Sequence, residues 1–246
     1  MQGFYTKEFL ISTSLTDVKS TLSPDKVFTI FQDMASEHAE ILGIGGYVMM
    51  DRGLFWMTIR TRIRAYRLPK LMEKVKALTW LAPFKDRDIR SNRYYRLYAG
   101  EELLAEGCTE WAVYSFEKKT VVRLEEAHMP QIEFLPEEVT VSKFSRFHNE
   151  PAETDEVFSH KVVFSDVDLG QHMNNCAYVR AMFDTIELPE YKKLTPAEME
   201  ICFRAPSLPG ETVSIRRRKE EDGYLFTVMK PDGAESAIGR LTLCVR

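Results

Sequence analysis

The 246-residue sequence predicts an α+β protein built from two tandem units, each with one long helix and several antiparallel strands. Three observations predict this class. One apolar helical stripe followed by alternating strands occupies the first half, the same order returns in the second half, and a stretch with little periodicity separates them. The length allows two units of about 120 residues, each able to bury a core.

The first unit is predicted to open with a strand, Phe4 to Ser14, and to continue into the long helix. Ser23-Pro24-Asp25 is a helix start, apolar residues then recur at three- and four-residue steps as far as Leu42, and a cluster of glycines ends the helix. Five strands are expected after it, at 47–50, 54–65, 74–80, 89–98 and 103–115.

The second unit repeats this order. We expect a strand at 157–164, a helix over roughly 174–186, and strands near 199–204, 212–218, 224–229 and 238–245. Individual residues also correspond: Leu68-Pro69 matches Leu208-Pro209. The run Tyr95-Arg-Leu-Tyr, followed by Gly100 and Glu106-Gly107, matches Tyr224-Leu-Phe-Thr, followed by Gly233 and Gly239. Gene duplication explains this pattern, and chance similarity between strand-rich segments is the alternative.

The segment 126–156 between the repeats is predicted to be a linker. It contains Pro130 and Pro136 and the acidic run 150–156, with little periodicity. The domains are therefore placed at 1–125 and 157–246, and the second carries the polar motif described below.

Composition excludes several classes of function. A net charge of −4 at pH 7 argues against general nucleic-acid binding. The four cysteines have no C-x-x-C spacing, so neither a zinc site nor a disulfide framework is indicated and reduced core thiols are expected. No apolar leader opens the sequence and no run approaches a membrane span, so we expect a cytoplasmic protein without a membrane partner.

The stretch from Ser165 to Tyr178 concentrates acid, imidazole and amide groups between a predicted strand and a predicted helix. A helix entrance carries unpaired N–H groups and a positive partial charge, so it stabilises negative charge on a carbonyl oxygen. Asp168 and His172, separated by Gly170, are suited to orienting a water molecule there. The alternative interpretation is that Asp168 only caps the helix and that His172 is a hydrogen-bonded core imidazole.

The run Asp168-Leu-Gly-Gln-His172-Met-Asn-Asn175 resembles the Asp-x-Asn-x-His-(Val/Met)-Asn-Asn motif of the acyl-acyl carrier protein (acyl-ACP) thioesterases. The resemblance covers nearly the whole chain. It implies two tandem hot-dog domains, each a long helix wrapped by an antiparallel sheet, and hydrolysis of the thioester that joins a fatty acyl chain to its carrier. By position, Asp168 and His172 match the catalytic acid and histidine.

Two of the expected catalytic positions depart from the family pattern. Gly170 stands where the family has asparagine, and Pro206 stands where it has a glutamate. Ser207 occupies a position at which some members carry cysteine, so no cysteine nucleophile is expected. Glu200 and Glu211 are the nearby alternatives for a second carboxylate, although solvent exposure is the more common state of such residues.

Substrate-binding residues are expected around the motif and on the first helix. Gly170 lets a carbonyl or water approach the backbone closely, amides near Asn174 would stabilise the oxyanion, and Asn175 would hold the turn. His38 is expected to be a core or pocket-lining residue, since adjacent Glu37 points to another helix face. Without an Asp-x-x-x-His cluster, the first unit is expected to lack an active site and to shape the acyl tunnel.

Arg60, Arg62 and Arg64 alternate with residues 59, 61 and 63, so three guanidinium groups are predicted on one face of a strand. This face is either a solvated surface or a docking site for an acidic carrier protein.

The favoured function is therefore hydrolysis of fatty acyl-ACP to free fatty acid, with Asp168 and His172 as the catalytic residues. No metal or organic cofactor and no nucleic acid is expected, and a homodimer is compatible with this function. Two alternatives remain. One is an acyl-chain or acyl-carrier binding protein with a weakened hydrolytic site, and the other is an acyl-CoA thioesterase.

Overall fold

A computed structural model describes residues 2–147 and 152–244, which form two compact units: unit 1 covers 1–143 and unit 2 covers 144–246. The division between the units falls inside the segment predicted to be a linker. Each unit packs a helix against one face of an antiparallel sheet, as the predicted α+β class requires. No helix in the described ranges combines the length and the apolar character needed to cross a membrane.

Unit 1 is built from the helices α1 and α2 and a sheet in the order β1-β3-β4-β5-β2, with β6 paired to β5. Short 3-10 turns cover Thr13–Leu15 and Leu124–Ala127. The helices are α1, Pro24–Ile41, and α2, Gly46–Asp51, and the strands are β1, Phe4–Leu10; β2, Leu54–Ala65; β3, Lys74–Leu81; β4, Ser91–Ala99; β5, Glu102–Ser115; and β6, Thr120–Val122.

The long helix α1 begins where the sequence predicts. Ser23 has an extended backbone, Pro24 occupies the first helical position, and Asp25 lies in the first turn, where it complements the helix dipole. Gly43 adopts the left-handed conformation (φ 71°) just after the helix ends, which suits a residue without Cβ. These residues set the two ends of α1 and therefore the extent of its apolar stripe.

Unit 2 contains a shorter helix on a sheet of order β8-β11-β10-β9-β7. A 3-10 turn covers Phe164–Asp166. The helices are α3, Asn175–Phe183, and α4, Leu188–Tyr191, and the strands are β7, Glu156–Lys161; β8, Pro196–Phe203; β9, Thr212–Glu220; β10, Gly223–Met229; and β11, Glu235–Leu243.

One glycine in each unit allows close contact between helix and sheet. A Cβ on Gly107 would lie 2.9 Å from Phe31 of α1, and a Cβ on Gly239 would lie 2.9 Å from Met182 of α3. Gly107 pairs with Tyr95 and Gly239 pairs with Phe226. The predicted correspondence between the two glycines is therefore supported by their packing, but the partner of Tyr95 in the repeat is Phe226 rather than Tyr224.

A second correspondence between the units is shifted from the predicted one. Lys70 N donates to Glu73 Oε2 (2.8 Å), and Leu208 N donates to Glu211 Oε2 (2.9 Å). These matching bonds align Lys70 with Leu208. The predicted match of Leu68-Pro69 with Leu208-Pro209 is therefore wrong by two residues.

Several predicted boundaries are also wrong. The predicted strand 47–50 is helix α2, since Met49 is buried in an apolar cluster beside Leu42 and Leu54. The predicted strand 157–164 ends at Lys161 and gives way to a 3-10 turn in which Phe164 is 92% exposed. By contrast, the strand predicted at 54–65 is confirmed at both ends by β2. Val245, at the predicted end of the last strand, lies outside the described residues.

The region 137–143 packs on unit 1 instead of forming a loose linker. Val139 and Val141 are buried, and the Trp80 indole donates to the Glu137 carbonyl (3.0 Å). Thr140 donates through its backbone N–H to the buried Glu106 carboxylate (3.2 Å). Proline content and weak periodicity indicate an absence of regular structure here, and the packing comes from contacts distant in sequence.

Only one of the four predicted core thiols is fully buried. Cys108 lies in the core, Cys176 and Cys202 are partly exposed, and Cys244 is exposed. All four are free thiols.

Candidate active site

The polar motif forms a tight turn between β7 and α3. Asp168 N donates to the His172 carbonyl (3.2 Å), and Gln171 N donates to the Asp168 carbonyl (3.0 Å). Gln171 adopts the left-handed conformation (φ 60°). Val167 and Met173 form a β-bridge that closes the loop. This turn brings the side chains of Asp168 and His172 to the same side.

The nearest approach of the acid and the imidazole is 3.9 Å, between Asp168 Oδ1 and His172 Nδ1. That separation is within ion-pair distance but too long for a direct hydrogen bond. The Asp168 side chain is 27% exposed and that of His172 is 26% exposed, so water reaches both. The turn therefore assembles an accessible acid and imidazole rather than a buried core pair.

The hydrogen-bonding surroundings assign the tautomer of His172. Its Nδ1 faces the Met173 carbonyl (3.4 Å) as well as Asp168 Oδ1, and both of these oxygens only accept. A ring proton on Nδ1 suits both of these oxygens, and this tautomer has its lone pair on Nε2. An imidazole oriented in this way by a carboxylate is suited to accepting a proton at Nε2.

Asn174 connects the acid to the helix. Its Nδ2 donates to Asp168 Oδ2 (3.0 Å), and its Oδ1 accepts from Cys176 N (2.8 Å), so Asn174 caps α3. The amide orientation follows from these two bonds, because a carboxylate only accepts and a backbone N–H only donates. The second Nδ2 hydrogen of Asn174 has no partner within the ranges that the structure describes.

The backbone amides around Asn174 are largely used within the protein. Met173 N donates to the Ser207 carbonyl (2.9 Å), Asn174 N to the Asp166 carbonyl (2.7 Å), and Ala177 N to the Asn174 carbonyl (2.9 Å). Three amides near Asn174 are therefore occupied within the protein, and the Asn174 side chain offers a further donor beside them. Asn175 is the first residue of α3 and is partly buried.

Gly170 participates through its backbone. Its N–H donates to Asp168 Oδ1 (2.8 Å), so the position where the family has asparagine contributes an amide that fixes the acid. The residue is partly buried.

Asp166 is a structural acid that the sequence analysis did not single out. Its carboxylate is 1% exposed and accepts from Val163 N (3.0 Å), His160 Nε2 (3.0 Å) and Arg180 Nη2. Together with the bond from Asn174 N to its carbonyl, these contacts join β7, the motif turn and α3. The signal in sequence was a second aspartate two residues before Asp168.

The loop that carries Pro206 lies against the motif. Ser207 is fully buried, its N–H donates to the Tyr178 hydroxyl (2.9 Å), and its Oγ lies 2.8 Å from Ser236 Oγ. Ser207 therefore anchors α3 and the motif turn. Pro206 itself is exposed, and its carbonyl accepts from Lys230 Nζ (2.9 Å).

Neither alternative carboxylate is solvent-exposed, contrary to expectation. Glu200 is buried and accepts from Ser145 N (2.7 Å) and Ser145 Oγ (2.8 Å). Alternation along β8 places Glu200 on the face opposite Met199, which packs towards Gly239 and α3. Glu211 is partly buried, accepts from Leu208 N and lies 3.5 Å from Lys230 Nζ. Both carboxylates have structural partners.

Unit 1 contains a turn of the same construction. Asp17 Oδ1 accepts from Lys19 N (2.8 Å), as Asp168 Oδ1 accepts from Gly170 N, and Ser20 has the left-handed conformation (φ 59°) found at Gln171. Asp17 N donates to the Thr21 carbonyl (2.9 Å). Thr21 and Ser23 thus occupy the positions of His172 and Asn174. Unit 1 keeps the geometry of the turn without an imidazole.

The remaining predicted site residues lie in unit 1. His38 is buried against β4, where Arg93 Nη1 lies 2.8 Å from its Nδ1. The three arginines on β2 all contact the protein itself. Arg60 pairs with Glu110 (3.1 Å), Arg62 donates to the Lys143 carbonyl, and Arg64 donates to Thr140 Oγ1 (3.2 Å).

Sequence comparison identifies relatives along the chain. Residues 2–132 match the family model of the acyl-ACP thioesterase N-terminal domain, and residues 149–239 match that of the C-terminal domain. The oleoyl-acyl carrier protein thioesterase of Coriandrum sativum is 20% identical over 246 residues. That alignment covers 93% of this chain, and the chain spans 63% of the relative's length.

Solved structures of acyl-ACP thioesterases have a fold similar to that of this chain. An acyl-ACP thioesterase from Bacteroides thetaiotaomicron has a TM-score of 0.88 at 17% identity, with 98% of each chain covered. The 12:0-ACP thioesterase of Umbellularia californica has a TM-score of 0.81 at 16% identity, with 100% of this chain and 99% of that chain covered. These likenesses confirm the predicted double hot-dog fold.

Proposed function

Because the chain belongs to the acyl-ACP thioesterase family, we propose that it hydrolyses a fatty acyl thioester on acyl carrier protein to free fatty acid and carrier thiol. The observation that carries the proposal is the grouping of Asp168, His172 and Asn174 at the entrance of α3, with acid and imidazole open to water. We also propose a cytoplasmic location.

The chemistry assigned to each residue follows from its contacts. His172 Nε2 accepts a proton from water as the water oxygen attacks the thioester carbonyl carbon, and Asp168 stabilises the imidazolium that forms. The second Nδ2 hydrogen of Asn174 bonds the developing oxyanion. The carbon–sulfur bond then breaks, and the proton passes from His172 to the leaving thiolate. No metal or organic cofactor takes part in this proposal.

The direct test is release of free thiol from an acyl-ACP length series, compared with the matching acyl-CoA series. Equal amounts of thiol and fatty acid from acyl-ACP support the proposal. Turnover of acyl-CoA alone would identify an acyl-CoA thioesterase. Binding of acyl-ACP without thiol release would identify a binding protein with a weakened hydrolytic site.

The weakened-site alternative has its own test, because Gly170 and Pro206 replace an asparagine and a glutamate of the family. If the site is weakened, the double change Gly170→Asn with Pro206→Glu will raise kcat by about 10²-fold, the lower end of what a positioned acid or base contributes. Position 206 is exposed beside the anchor residue Ser207, so the new carboxylate is tolerated there.

The matched control is Gly170→Asn with Pro206→Gln, which adds similar volume without a carboxylate. Thiol release and the thermal midpoint are measured for each protein. No gain in kcat from the glutamate pair at unchanged stability would show that the wild-type site is not weakened by these residues.

Carrier docking on β2 is proposed for Arg60, Arg62 and Arg64. Replacing Arg60 and Arg62 with glutamate is expected to raise the KM for acyl-ACP about tenfold, with a smaller effect on acyl-CoA, since an acidic carrier loses an attractive surface. The effect should weaken as salt is raised.

Lys118→Glu with Lys119→Glu gives the same change in net charge at the turn between β5 and β6. This control also removes an ion pair, Lys118 with Glu126 (2.7 Å). Equal effects of the two double variants, or equal effects on both substrates, would exclude docking at β2.

A further inference from the structure

Three buried hydroxyl groups form a connected hydrogen-bond network beside the motif turn. They belong to Tyr178 of α3, Ser207 of the loop after β8 and Ser236 of β11, and each of these residues is at most 2% exposed. Tyr178 Oη and Ser207 Oγ each lie 2.8 Å from Ser236 Oγ. Ser207 N donates to Tyr178 Oη (2.9 Å), so the backbone of the loop joins the same network.

Every bond of this hydroxyl network has a defined direction. Ser236 Oγ donates its only hydrogen to the Ala205 carbonyl (2.6 Å), because a carbonyl only accepts. Ser236 Oγ therefore accepts from the hydroxyls of both Tyr178 and Ser207, while Tyr178 Oη accepts from Ser207 N. All three hydroxyl hydrogens have an acceptor, and a buried polar network satisfied in this way holds its members in one arrangement.

The hydroxyl network reaches the polar motif through one backbone bond. Met173 N donates to the Ser207 carbonyl (2.9 Å). Met173 stands between His172, the proposed base, and Asn174, the cap of α3. Because Tyr178 holds the N–H of Ser207 and the carbonyl of Ser207 holds Met173, a shift of this loop would move the backbone beside the imidazole.

Unit 1 has the same backbone bonds at the corresponding positions. Leu22 N donates to the Pro69 carbonyl (2.7 Å), which makes Pro69 the counterpart of Ser207. Two successive backbone N–H groups donate to the Leu104 carbonyl (2.8 and 3.2 Å), and two donate to the Ser236 carbonyl at the same distances. Leu104 is therefore the counterpart of Ser236.

The hydroxyl network itself is absent from those positions of unit 1. Val27 corresponds to Tyr178, since each stands four residues after the residue at the helix entrance, Ser23 or Asn174. Val27 and Leu104 are buried apolar side chains, and proline has no N–H that needs an acceptor. The turn of unit 1 forms without these hydroxyls, although burying hydroxyls is costly. Formation of the turn alone does not explain the network, which accompanies the copy that carries the imidazole.

We propose that Tyr178 is a positioning residue for His172, acting with Ser236 through the Ser207 carbonyl and Met173 N. The hydroxyl network narrows the range of positions open to the imidazole, and proton transfer depends steeply on such geometry. This inference rests on the proposed hydrolysis, and it assigns a role to residues that are buried and do not act as acid, base or nucleophile.

The experiment begins with Tyr178→Phe, which keeps the ring and removes the acceptor of Ser207 N. This variant is expected to lower kcat for acyl-ACP about tenfold and to leave KM within about twofold, because a buried donor loses its partner while the carrier surface is unchanged. Tyr224→Phe is the matched control. It removes a tyrosine hydroxyl of the same unit that donates to Glu190 Oε1 (2.6 Å) on α4, and it should leave kcat unchanged.

A double variant tests whether Tyr178 acts through His172. Adding Tyr178→Phe to His172→Ala should leave the residual rate of thiol release unchanged, since the imidazole that Tyr178 positions is already absent. A purely structural role of the hydroxyl would lower the residual rate in this background as well. Persistence of the loss in the double variant, or a wild-type kcat in Tyr178→Phe, would overturn the inference.

Nuclear magnetic resonance measures the positioning without turnover. The ring resonances of His172, assigned by their loss in His172→Ala, should shift in Tyr178→Phe and stay in place in Tyr224→Phe. Unshifted resonances in Tyr178→Phe would overturn the inference. If wild type releases no thiol from acyl-ACP, the proposed function fails and these resonances still decide the positioning role. If Tyr178→Phe does not fold, Ser236→Ala breaks the same network and is measured in the same way.

Discussion

Replacing Asp168 with alanine is expected to lower kcat for acyl-ACP by about 10²- to 10⁴-fold, the range lost when an acid or base partner is removed. The change removes the acceptor that faces His172 Nδ1 and releases the Asn174 amide. His172→Ala should give a loss of the same order. Because the residues act as a unit, the double variant should be little worse than either single variant.

Asp17→Ala is the matched control for this prediction. Asp17 holds the corresponding turn of unit 1 through Lys19 N, but Thr21 stands where His172 stands in unit 2. Asp17→Ala therefore removes the same hydrogen bond between a backbone N–H and an aspartate side chain, but it removes no residue to which a step of hydrolysis is assigned. Comparable losses of kcat in Asp17→Ala and Asp168→Ala, at equal folded fractions, would contradict a catalytic role for Asp168.

Asp166→Ala is expected to lower the free energy of unfolding by about 3 kcal/mol, since it removes a buried acceptor and leaves its donors unsatisfied. Val163 N, His160 and Arg180 all lose their acceptor. Because the Asp166 carboxylate also holds the turn whose backbone carbonyl accepts from Asn174 N, kcat should fall even where the protein remains folded. Urea unfolding gives the first quantity and thiol release gives the second.

Asp155→Ala is the control that separates a loss of protein stability from a loss of positioning of the site residues. Asp155 is a buried acid of unit 2 that pairs with Arg218 (2.7 Å) and accepts from Ala152 N (3.0 Å). It should lower stability with little change in the kcat of the folded protein. If Asp166→Ala likewise loses stability alone, Asp166 does not position the site.

The fold was readable from local patterns, and the site only in part. The bounds of β2 and the start of α1 follow from alternation and from Ser23-Pro24-Asp25, which act over a few residues. The residues at 47–50 favour a strand by their type, yet burial of Met49 in the apolar cluster selects a helix. Tertiary packing overrides propensity in such short segments.

The hydrogen bonds that anchor the motif turn to the rest of unit 2 were beyond prediction because they join residues distant in sequence. Asp166 meets Arg180 from α3, and Met173 meets Ser207 from the loop after β8. Likewise Arg93 is one charged residue in an alternating strand, and its contact with His38, 55 residues earlier, follows only from the tertiary structure. The sequence indicated which residues are candidates for the chemistry, but not which ones hold them in place.

The two matching turns separate the shape of the motif loop from its chemical groups. The backbone bonds of Asp17 in unit 1 and Asp168 in unit 2 are alike, whereas the side chains at the following positions differ, with Thr21 opposite His172 and Ser23 opposite Asn174. The shape of this loop therefore does not depend on its reactivity, because the same backbone bonds form with or without the imidazole and the amide.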